Sequence, residues 1–493
     1  MLFLHVFYRL TLKRKFIINI ILVVFLNLLV KPFWVFGIDR TVQNVVGAEQ
    51  YGFYFALFNF SLILNILLDM GITNYNNRNI SQNEESLSFY FSNILSIRLI
   101  LGVLYFVASM LIALLCNYDK SQLYMLLFLT FNQFLLALIL YLRSNLAGLQ
   151  LFKTDSCISV LDRFVLIAIC SILLWGNITE QPFRIEWFVY AQTGSYLFTA
   201  LVAFILVLIH SNGFKLTFNL KTALSILKKS APFALLTLLM SLYNRIDSVM
   251  LERLLPDGKV QAGIYAQAFR ISDACCMFAL LFANLLLPMF SRMLKQKDNV
   301  AGLVRISTVI MLVPVLACSV MCIFYRQQIM DLMYCNHVAE SAPIFALLIS
   351  GFIFISLTYI YGTLLTANGS LTKLNIVALC GMLFNIVANL ILIPRYQALG
   401  SAIVSLATQS LTAIAQILIA FSIFGFKFRG RTQFMLLVYV IALVAIGFAT
   451  TYLPFSWIIN AAIMLAVSCL LAVASGLVRI KGMLELIQIS KSN

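Results

Sequence analysis

Residues 91–115 read FSNILSIRLILGVLYFVASMLIALL, a run in which Arg98 is the single charged residue. A helix over this run rises about 1.5 Å per residue, so it is long enough to cross a hydrocarbon core of about 30 Å. An apolar run of this length is typical of a transmembrane helix. The run therefore predicts a membrane span.

Similar runs recur along the whole chain, which is 62% hydrophobic and 11% charged with a mean hydropathy of +0.98. A soluble domain carries about 25% charged residues, so a water-facing surface cannot be built from this composition. We predict an all-α integral membrane protein of about fourteen spanning helices. The predicted spans are 16–46, 52–69, 91–115, 122–147, 157–175, 186–209, 231–251, 262–290, 303–325, 342–366, 374–394, 398–424, 433–453 and 455–478.

The chain has a net charge of +16, and its basic residues are unevenly divided between the two sides of the predicted membrane spans. Sorting the Lys and Arg residues by these spans places roughly 23 on one side of the membrane and roughly 8 on the other. Three more, Arg98, Arg245 and Arg270, are assigned to neither side because of their depth inside predicted spans. Because short loops rich in Lys and Arg stay in the cytoplasm, both termini are predicted to be cytoplasmic. The basic balance therefore does not indicate nucleic-acid binding.

The chain also repeats itself. Residues 51–54, YGFY, follow a polar turn and open the second span, and residues 262–265, AGIY, open the eighth in the same way. Six spans per repeat return the chain to the side on which it began, so we expect two parallel lobes about a pseudo-two-fold axis along the membrane normal. The predicted parts are an N-lobe at 1–211, a C-lobe at 212–426 and two additional helices at 427–493.

Lys31 is one ionisable residue at membrane depth, and it directly precedes Pro32 inside the first span. At roughly 24 Å from Lys15 it is too deep to reach the cytoplasmic surface. Proline cannot donate to the helix ladder, so we expect a kink or an opening here. Interrupted helices are where transporters place binding groups, although Lys31 reaching the opposite face is the alternative.

Two further spans carry charges at depth. Arg98 is expected to face a wet cavity, with an interfacial anchor as the alternative. Arg245 and Asp247 lie two positions apart, so on a helix they point to different sides and serve separate roles. Arg245 is a candidate substrate-binding residue, and Asp247 is a candidate titrating or ion-coupling residue.

Arg270 and Asp273 lie three positions apart in the eighth span, where they either form a structural ion pair or bind substrate and coupling ion, respectively. Arg40 is a further candidate near the outer end of the first span. A cavity with several cations and few acids favours an anionic ligand, because guanidinium groups bind phosphate bidentately.

No enzyme motif is found: the sequence has no nucleophile elbow, Walker loop, zinc-spaced His pair or paired carboxylates at depth. The ten cysteines show no metal-ligand spacing, and most lie in apolar runs. We therefore expect neither a catalytic site, nor a metal, nor a cofactor.

Three motifs resemble a known family. Residues 39–52, DRTVQNVVGAEQYG, resemble the entrance to the second span in polysaccharide exporters, and Arg245-Ile246-Asp247 with residues 262–266 resembles their second-lobe opening. Residues 385–402 are similar to their Asn-x-x-x-Asn and Ile-Pro-x-Tyr-Gly element, with Gln397 where glycine is usual. These exporters include the Wzx-type flippases of the multidrug/oligosaccharidyl-lipid/polysaccharide flippase superfamily.

The resemblance covers nearly the whole chain and implies a MATE-like, two-lobed bundle that alternates between inward-open and outward-open states. The implied cargo is an undecaprenyl-diphosphate-linked oligosaccharide, flipped across the bacterial inner membrane for surface polysaccharide synthesis. Implied partners are membrane lipids, a polysaccharide polymerase and glycosyltransferases. By position, Lys31, Arg98, Arg245 and Arg270 correspond to the cavity cations of the family.

Two other functions fit parts of the sequence. A cation-coupled multidrug exporter shares the fold, but a cavity richer in Arg than in acids argues against it. A membrane glycan polymerase or ligase needs a sizeable extracytoplasmic loop, and the predicted loops are short.

Overall fold

The computed structural model describes residues 30, 32–70, 72, 87–149, 151–176, 181–211, 220–426 and 430–477. Within these ranges every regular element is helical. The α-helices in chain order are α1 (Arg40–Ile63), α2 (Ile66–Asp69), α3 (Leu87–Leu115), α4 (Lys120–Gly148), α5 (Phe152–Trp175), α6 (Ile185–His210), α7 (Leu220–Leu254), α8 (Gly258–Lys295), α9 (Ala301–Phe324), α10 (Arg326–Met333), α11 (Val338–Ala367), α12 (Leu371–Phe424), α13 (Gly430–Thr451) and α14 (Trp457–Ala474).

Eleven helices of the described ranges are long and apolar enough to cross a membrane. One of them, α12, is two predicted spans joined at Gln397, whose φ of 54° and ψ of −135° break the helix. A similar break at Gly47, with φ 80° and ψ 169°, divides α1 where the first and second spans were predicted to meet. The prediction of an all-α, multi-pass membrane protein is confirmed.

Pro32 marks a change in helix type. The residues after it form a π-helix, Phe33–Asp39, and at its end the Arg40 amide donates to the Val35 carbonyl five residues back. Proline lacks the amide that a regular ladder needs, and π-helical turns are frequent at functional sites. The predicted interruption of the first span is therefore present in the described part of that span, whereas Lys31 lies outside the described residues.

The chain divides into two compact units, Met1–Val249 and Met250–Asn493. In the first unit, α4 packs against α6 and α1, and its start is fixed by a capping box between Asp119 and Gln122. Tyr141 and Leu142 of α4 lie in the apolar core of this unit. The division between the units falls inside α7, so the predicted limits at 211 and 426 stay a prediction.

In the second unit, α11 packs against α8, α9 and α12. The two C-terminal helices α13 and α14 pack on α9, with Leu443 and Met464 fully buried beside Leu316. The outward surfaces of the long helices carry exposed apolar side chains, such as Val103, Leu285 and Leu418. Such surfaces match the hydrocarbon of a bilayer.

Candidate functional site

The predicted cations fall in both units. Arg40, Arg98 and Arg245 belong to the first unit, and Arg270 belongs to the second. Arg40, Arg245 and Arg270 are partly exposed, whereas Arg98 is 2% exposed.

Arg98 is enclosed by polar partners of its own unit. Its guanidinium pairs with Asp69 at the end of α2 and donates to the backbone oxygens of Leu68, at 3.3 Å, and Ala137, at 3.0 Å. Its other face lies 4.9 Å from the ring centroid of Tyr141. These contacts tie α2 and α4 to α3.

This setting differs from the wet cavity expected for Arg98 in the sequence analysis. Separating a buried cation from its hydrogen bonds is costly, so a phosphate would have to replace several good interactions at once. We therefore assign Arg98 to the packing of the first unit. Asp69, 29 positions earlier in the chain, is the residue that fixes it.

Arg245 has the more open setting. It lies on α7, about 14 Å before the end of that helix at Leu254. Its guanidinium donates to the Asn59 side-chain oxygen at 3.2 Å, and the Asn59 amide in turn donates to the Phe55 carbonyl at 3.0 Å. Asn59 thus orients the arginine from α1, and the arginine side chain is partly exposed.

Asp247, two positions beyond Arg245, is 1% exposed. The two side chains therefore differ in burial, and their separate roles stay a prediction.

Arg163 is a cation at depth that the sequence analysis did not single out. It lies about 17 Å from each end of α5 and inside the predicted span 157–175. Its position inside that span was the available signal. The side chain is 27% exposed and lies 3.6 Å from the neighbouring carboxylate of Asp162.

Two aromatic residues hold the Arg163 guanidinium. It donates to the Tyr196 hydroxyl of α6 at 3.2 Å, and its central carbon lies 5.3 Å from the ring centroid of Trp34 in the π-helix. Arginine is held in a fixed plane by such contacts and keeps other N–H donors for a ligand. The π-helix, α5 and α6 thus place one cation at mid-membrane depth.

The aromatic cluster continues from Trp34 to α1. Trp34 stacks on Phe188 at 5.7 Å, and Phe188 packs edge-on against Tyr54 at 5.4 Å. The Tyr54 hydroxyl accepts a hydrogen bond from the Gln192 side chain at 3.0 Å. The cluster positions the π-helix against α6.

Asp39 ends the π-helix and is 3% exposed. The Tyr51 hydroxyl lies 2.9 Å from both of its carboxylate oxygens, across the break at Gly47. This contact closes the turn between the first two spans.

In the second unit, Arg270 and Asp273 of α8 are both partly exposed. The Asn-x-x-x-Asn motif forms a buried polar ladder on α12: the Asn389 amide donates to Asn385 at 3.1 Å, and the Asn385 amide donates to Thr408 at 3.4 Å. The two halves of α12 are therefore joined by side chains as well as by the turn at Gln397.

Comparisons with known proteins agree with this architecture. A family model described as polysaccharide biosynthesis protein matches residues 15–294, more than half of the chain. A search of curated protein sequences finds no match.

Several solved structures share the fold. The lipid II flippase MurJ in an inward closed conformation is 14% identical, with a TM-score of 0.70 over 92% of this chain and 98% of that one. An inward-facing multidrug resistance MATE family transporter of the MOP superfamily is 16% identical, with a TM-score of 0.63 over 79% of this chain and 94% of that one.

A MOP superfamily transporter from Pyrococcus furiosus, with a binding pocket of reverse polarity, is 16% identical; its TM-score is 0.56 over 83% of this chain and 94% of that one. The fold is therefore MATE-like, as predicted. With the match over residues 15–294, the chain belongs to the polysaccharide biosynthesis protein family.

Proposed function

We propose that this protein flips an undecaprenyl-diphosphate-linked oligosaccharide across the bacterial inner membrane by alternating access, for the synthesis of a surface polysaccharide such as O-antigen, capsule or exopolysaccharide. Both termini face the cytoplasm in this proposal. Glycosyltransferases supply the cargo on that side, and a polymerase receives it on the other.

The observation that carries the proposal is the setting of Arg163. A guanidinium midway along a spanning helix costs free energy, on the order of 2.5–3.5 kcal/mol on insertion scales, unless it is paired or lines a polar path. Asp162 pairs with Arg163 at 3.6 Å, and the arginine side chain is still 27% exposed. Its fixed plane and remaining N–H donors suit a diphosphate, which offers several acceptor oxygens. The match to a polysaccharide biosynthesis family supports a cargo of this kind.

Arg245 is the second diphosphate contact in this proposal, since Asn59 orients it while part of its side chain stays exposed. Arg40 and Arg270, which are also partly exposed, and Lys31 are proposed as further contacts along the path. Arg98 contributes by fixing α2 and α4 rather than by touching the cargo.

Asp247 is proposed as the group that titrates or binds a coupling cation, and Asp273 is the second candidate. Asp247 is 1% exposed, so binding a proton or a cation there would change the charge at a buried position of α7. The burial of Asp247 makes it the stronger of the two.

A multidrug exporter of the same fold is the competing function. Cationic drugs need an acidic path, whereas the partly exposed charges at depth described above are mainly arginines.

The test of substrate class uses purified protein in proteoliposomes. A fluorescent lipid-linked oligosaccharide is added to both leaflets, and a membrane-impermeant reductant quenches the outer pool. We expect quenching of the inner pool to be faster than in protein-free vesicles, with no accelerated efflux of ethidium from the same vesicles. Ethidium efflux without lipid flipping would contradict the proposal.

A further inference from the structure

A cavity of about 590 Å³ lies within the second unit, at one membrane end of its helices. It is bordered by the start of α9, the last turns of α11, the end of α12 and the start of α13. Consecutive spans run in opposite directions, so these four helix ends meet at one membrane face. The distribution of Lys and Arg predicts that this face is cytoplasmic.

One part of the cavity wall is aromatic. Phe421 packs edge-on against Phe426 with ring centroids 5.6 Å apart, and Phe424 stacks on Phe426 at 5.4 Å. Gly425 between them adopts a φ of 61°, the left-handed conformation that turns the chain back after α12 and lets the rings meet. The wall is thus apolar and lies where a spanning helix ends.

The other part of the wall is polar and cationic. Arg305, one turn into α9, is exposed, and no carboxylate among the described residues pairs with it. Gln433 adds an exposed amide group, whereas the Thr308 hydroxyl donates to the Val304 carbonyl at 2.8 Å. One cation beside hydrogen-bonding groups favours a phosphodiester.

The segments of sequence that flank the cavity also carry a net positive charge. Residues 295–305 contain three Lys or Arg and one acid, and residues 424–433 contain three Lys or Arg and no acid. Basic pockets between helices at a cytoplasmic face attract anionic lipid headgroups, and each nearby cation strengthens that attraction. The charge therefore complements an anionic ligand.

We propose that this cavity binds one anionic glycerophospholipid of the cytoplasmic leaflet. Arg305 and the polar groups contact the phosphodiester, and the upper acyl chain lies against the three phenylalanines. A soluble anion would contact Arg305 but leave the aromatic wall uncovered. An uncharged lipid would cover the aromatic wall but leave Arg305 without an anionic group. The volume lies within the range of about 300–1,000 Å³ typical of small-molecule sites.

Gly302 offers a direct way to block the cavity. It borders the cavity, and a Cβ built on it meets nothing within 4 Å. Gly302→Phe therefore places a ring in open space without displacing neighbours. Gly194 in α6 is equally open and lies in the other unit, so Gly194→Phe is its matched control. Arg292, exposed near the end of α8, is the matched control for Arg305.

Native mass spectrometry of the full-length protein tests the proposal with phosphatidylglycerol and with phosphatidylethanolamine of the same acyl chains. We expect phosphatidylglycerol to be retained preferentially. Arg305→Gln should weaken phosphatidylglycerol binding about tenfold, since a hydrogen bond to a charged group is worth about that factor. Gly302→Phe should weaken it by a similar factor, because its ring occupies the cavity. Arg292→Gln and Gly194→Phe should bind it as the wild type does.

Equal retention of the two lipids would overturn the proposal, as would undiminished binding by Arg305→Gln or Gly302→Phe in protein that elutes as a single species. An equal loss in Arg292→Gln would indicate diffuse attraction and would also overturn it. Undecaprenyl phosphate is the third probe. Tighter binding of this lipid than of phosphatidylglycerol, abolished by Gly302→Phe, would assign the cavity to the cargo and reject a phospholipid site.

Discussion

The Arg163 guanidinium donates a hydrogen bond to the Tyr196 hydroxyl over 3.2 Å, at the middle of α5 and α6. Tyr196 is itself 4% exposed, so it serves as a fixed support for a more exposed cation. Both residues belong to the first unit. A change at Tyr196 therefore tests how Arg163 is oriented without removing the charge of Arg163.

Removing the support should weaken substrate binding without unfolding the protein. In Tyr196→Phe, Arg163 keeps its charge and its contact with Trp34 but loses one hydrogen bond, worth about 0.5–1.5 kcal/mol. We expect the apparent KM for lipid-linked oligosaccharide to rise about threefold to tenfold, with the maximal rate little changed. Tyr452→Phe, on an 85% exposed ring, is the control. An unchanged KM in Tyr196→Phe would refute the positioning role.

Arg98 should behave as a structural residue. Arg98→Gln leaves the Asp69 carboxylate and the Ala137 carbonyl without their donor, which should cost about 3 kcal/mol of stability. We expect lower abundance in the membrane and a lower temperature at which the detergent-solubilised protein loses its monodisperse elution peak. The double variant Arg98→Met with Asp69→Asn should recover part of the loss, because both charges are removed together.

The opposite result for Arg98 is informative. Normal abundance and thermal stability in Arg98→Gln, combined with lost transport, would place Arg98 on the substrate path after all.

The turn at Gln397 predicts two substitutions of opposite effect. Its φ of 54° and ψ of −135° favour glycine, and such a conformation costs another residue about 1–3 kcal/mol. Gln397→Gly should therefore raise thermal stability, by about 1 kcal/mol after the entropy of glycine is counted. Gly400→Ala should lower it, because its Cβ would lie 2.4 Å from the Leu392 carbonyl oxygen. Equal effects of the two would contradict this account of the turn.

The predicted orientation can be tested with cysteines already in the chain. Cys116, after α3, and Cys335, between α10 and α11, are exposed and are predicted to lie outside the cytoplasm; Cys157, near the start of α5, is exposed and predicted to lie inside. In single-cysteine variants, an impermeant maleimide should label Cys116 and Cys335 in intact spheroplasts and Cys157 only after lysis. A reporter fused within residues 211–230 should likewise report cytoplasm. Labelling of Cys157 in intact cells would invert the topology.

Much of the fold follows from the sequence because spans are set by the length of apolar runs. The breaks at Gly47 and Gln397 fall where short polar or Pro-containing segments separate predicted spans. Pro32 predicts an interrupted helix, but the π-helical hydrogen bond from Arg40 to Val35 depends on how the chain packs after it. Local composition therefore predicts where helices begin and end better than it predicts their detailed hydrogen bonding.

The candidate site is less predictable, because its contacts join distant parts of the chain. Asn59 and Arg245 are 186 positions apart, and the local sequence around neither residue predicts the hydrogen bond between them. Arg98 looked like a cavity cation because its partner Asp69 lies at the end of a different helix. Arg163, by contrast, could have been found by checking every cation against the predicted span 157–175.

The central claim is that Arg163 and Arg245 bind the diphosphate of a lipid-linked oligosaccharide. The most direct measurement is the flipping rate in proteoliposomes that contain equal amounts of wild type, Arg163→Gln, Arg245→Gln or Lys120→Gln, the last being an exposed control at the start of α4. Loss of a charge-assisted contact should slow flipping at least about tenfold in each arginine variant, with Lys120→Gln at the wild-type rate. Wild-type rates in both arginine variants would contradict the claim.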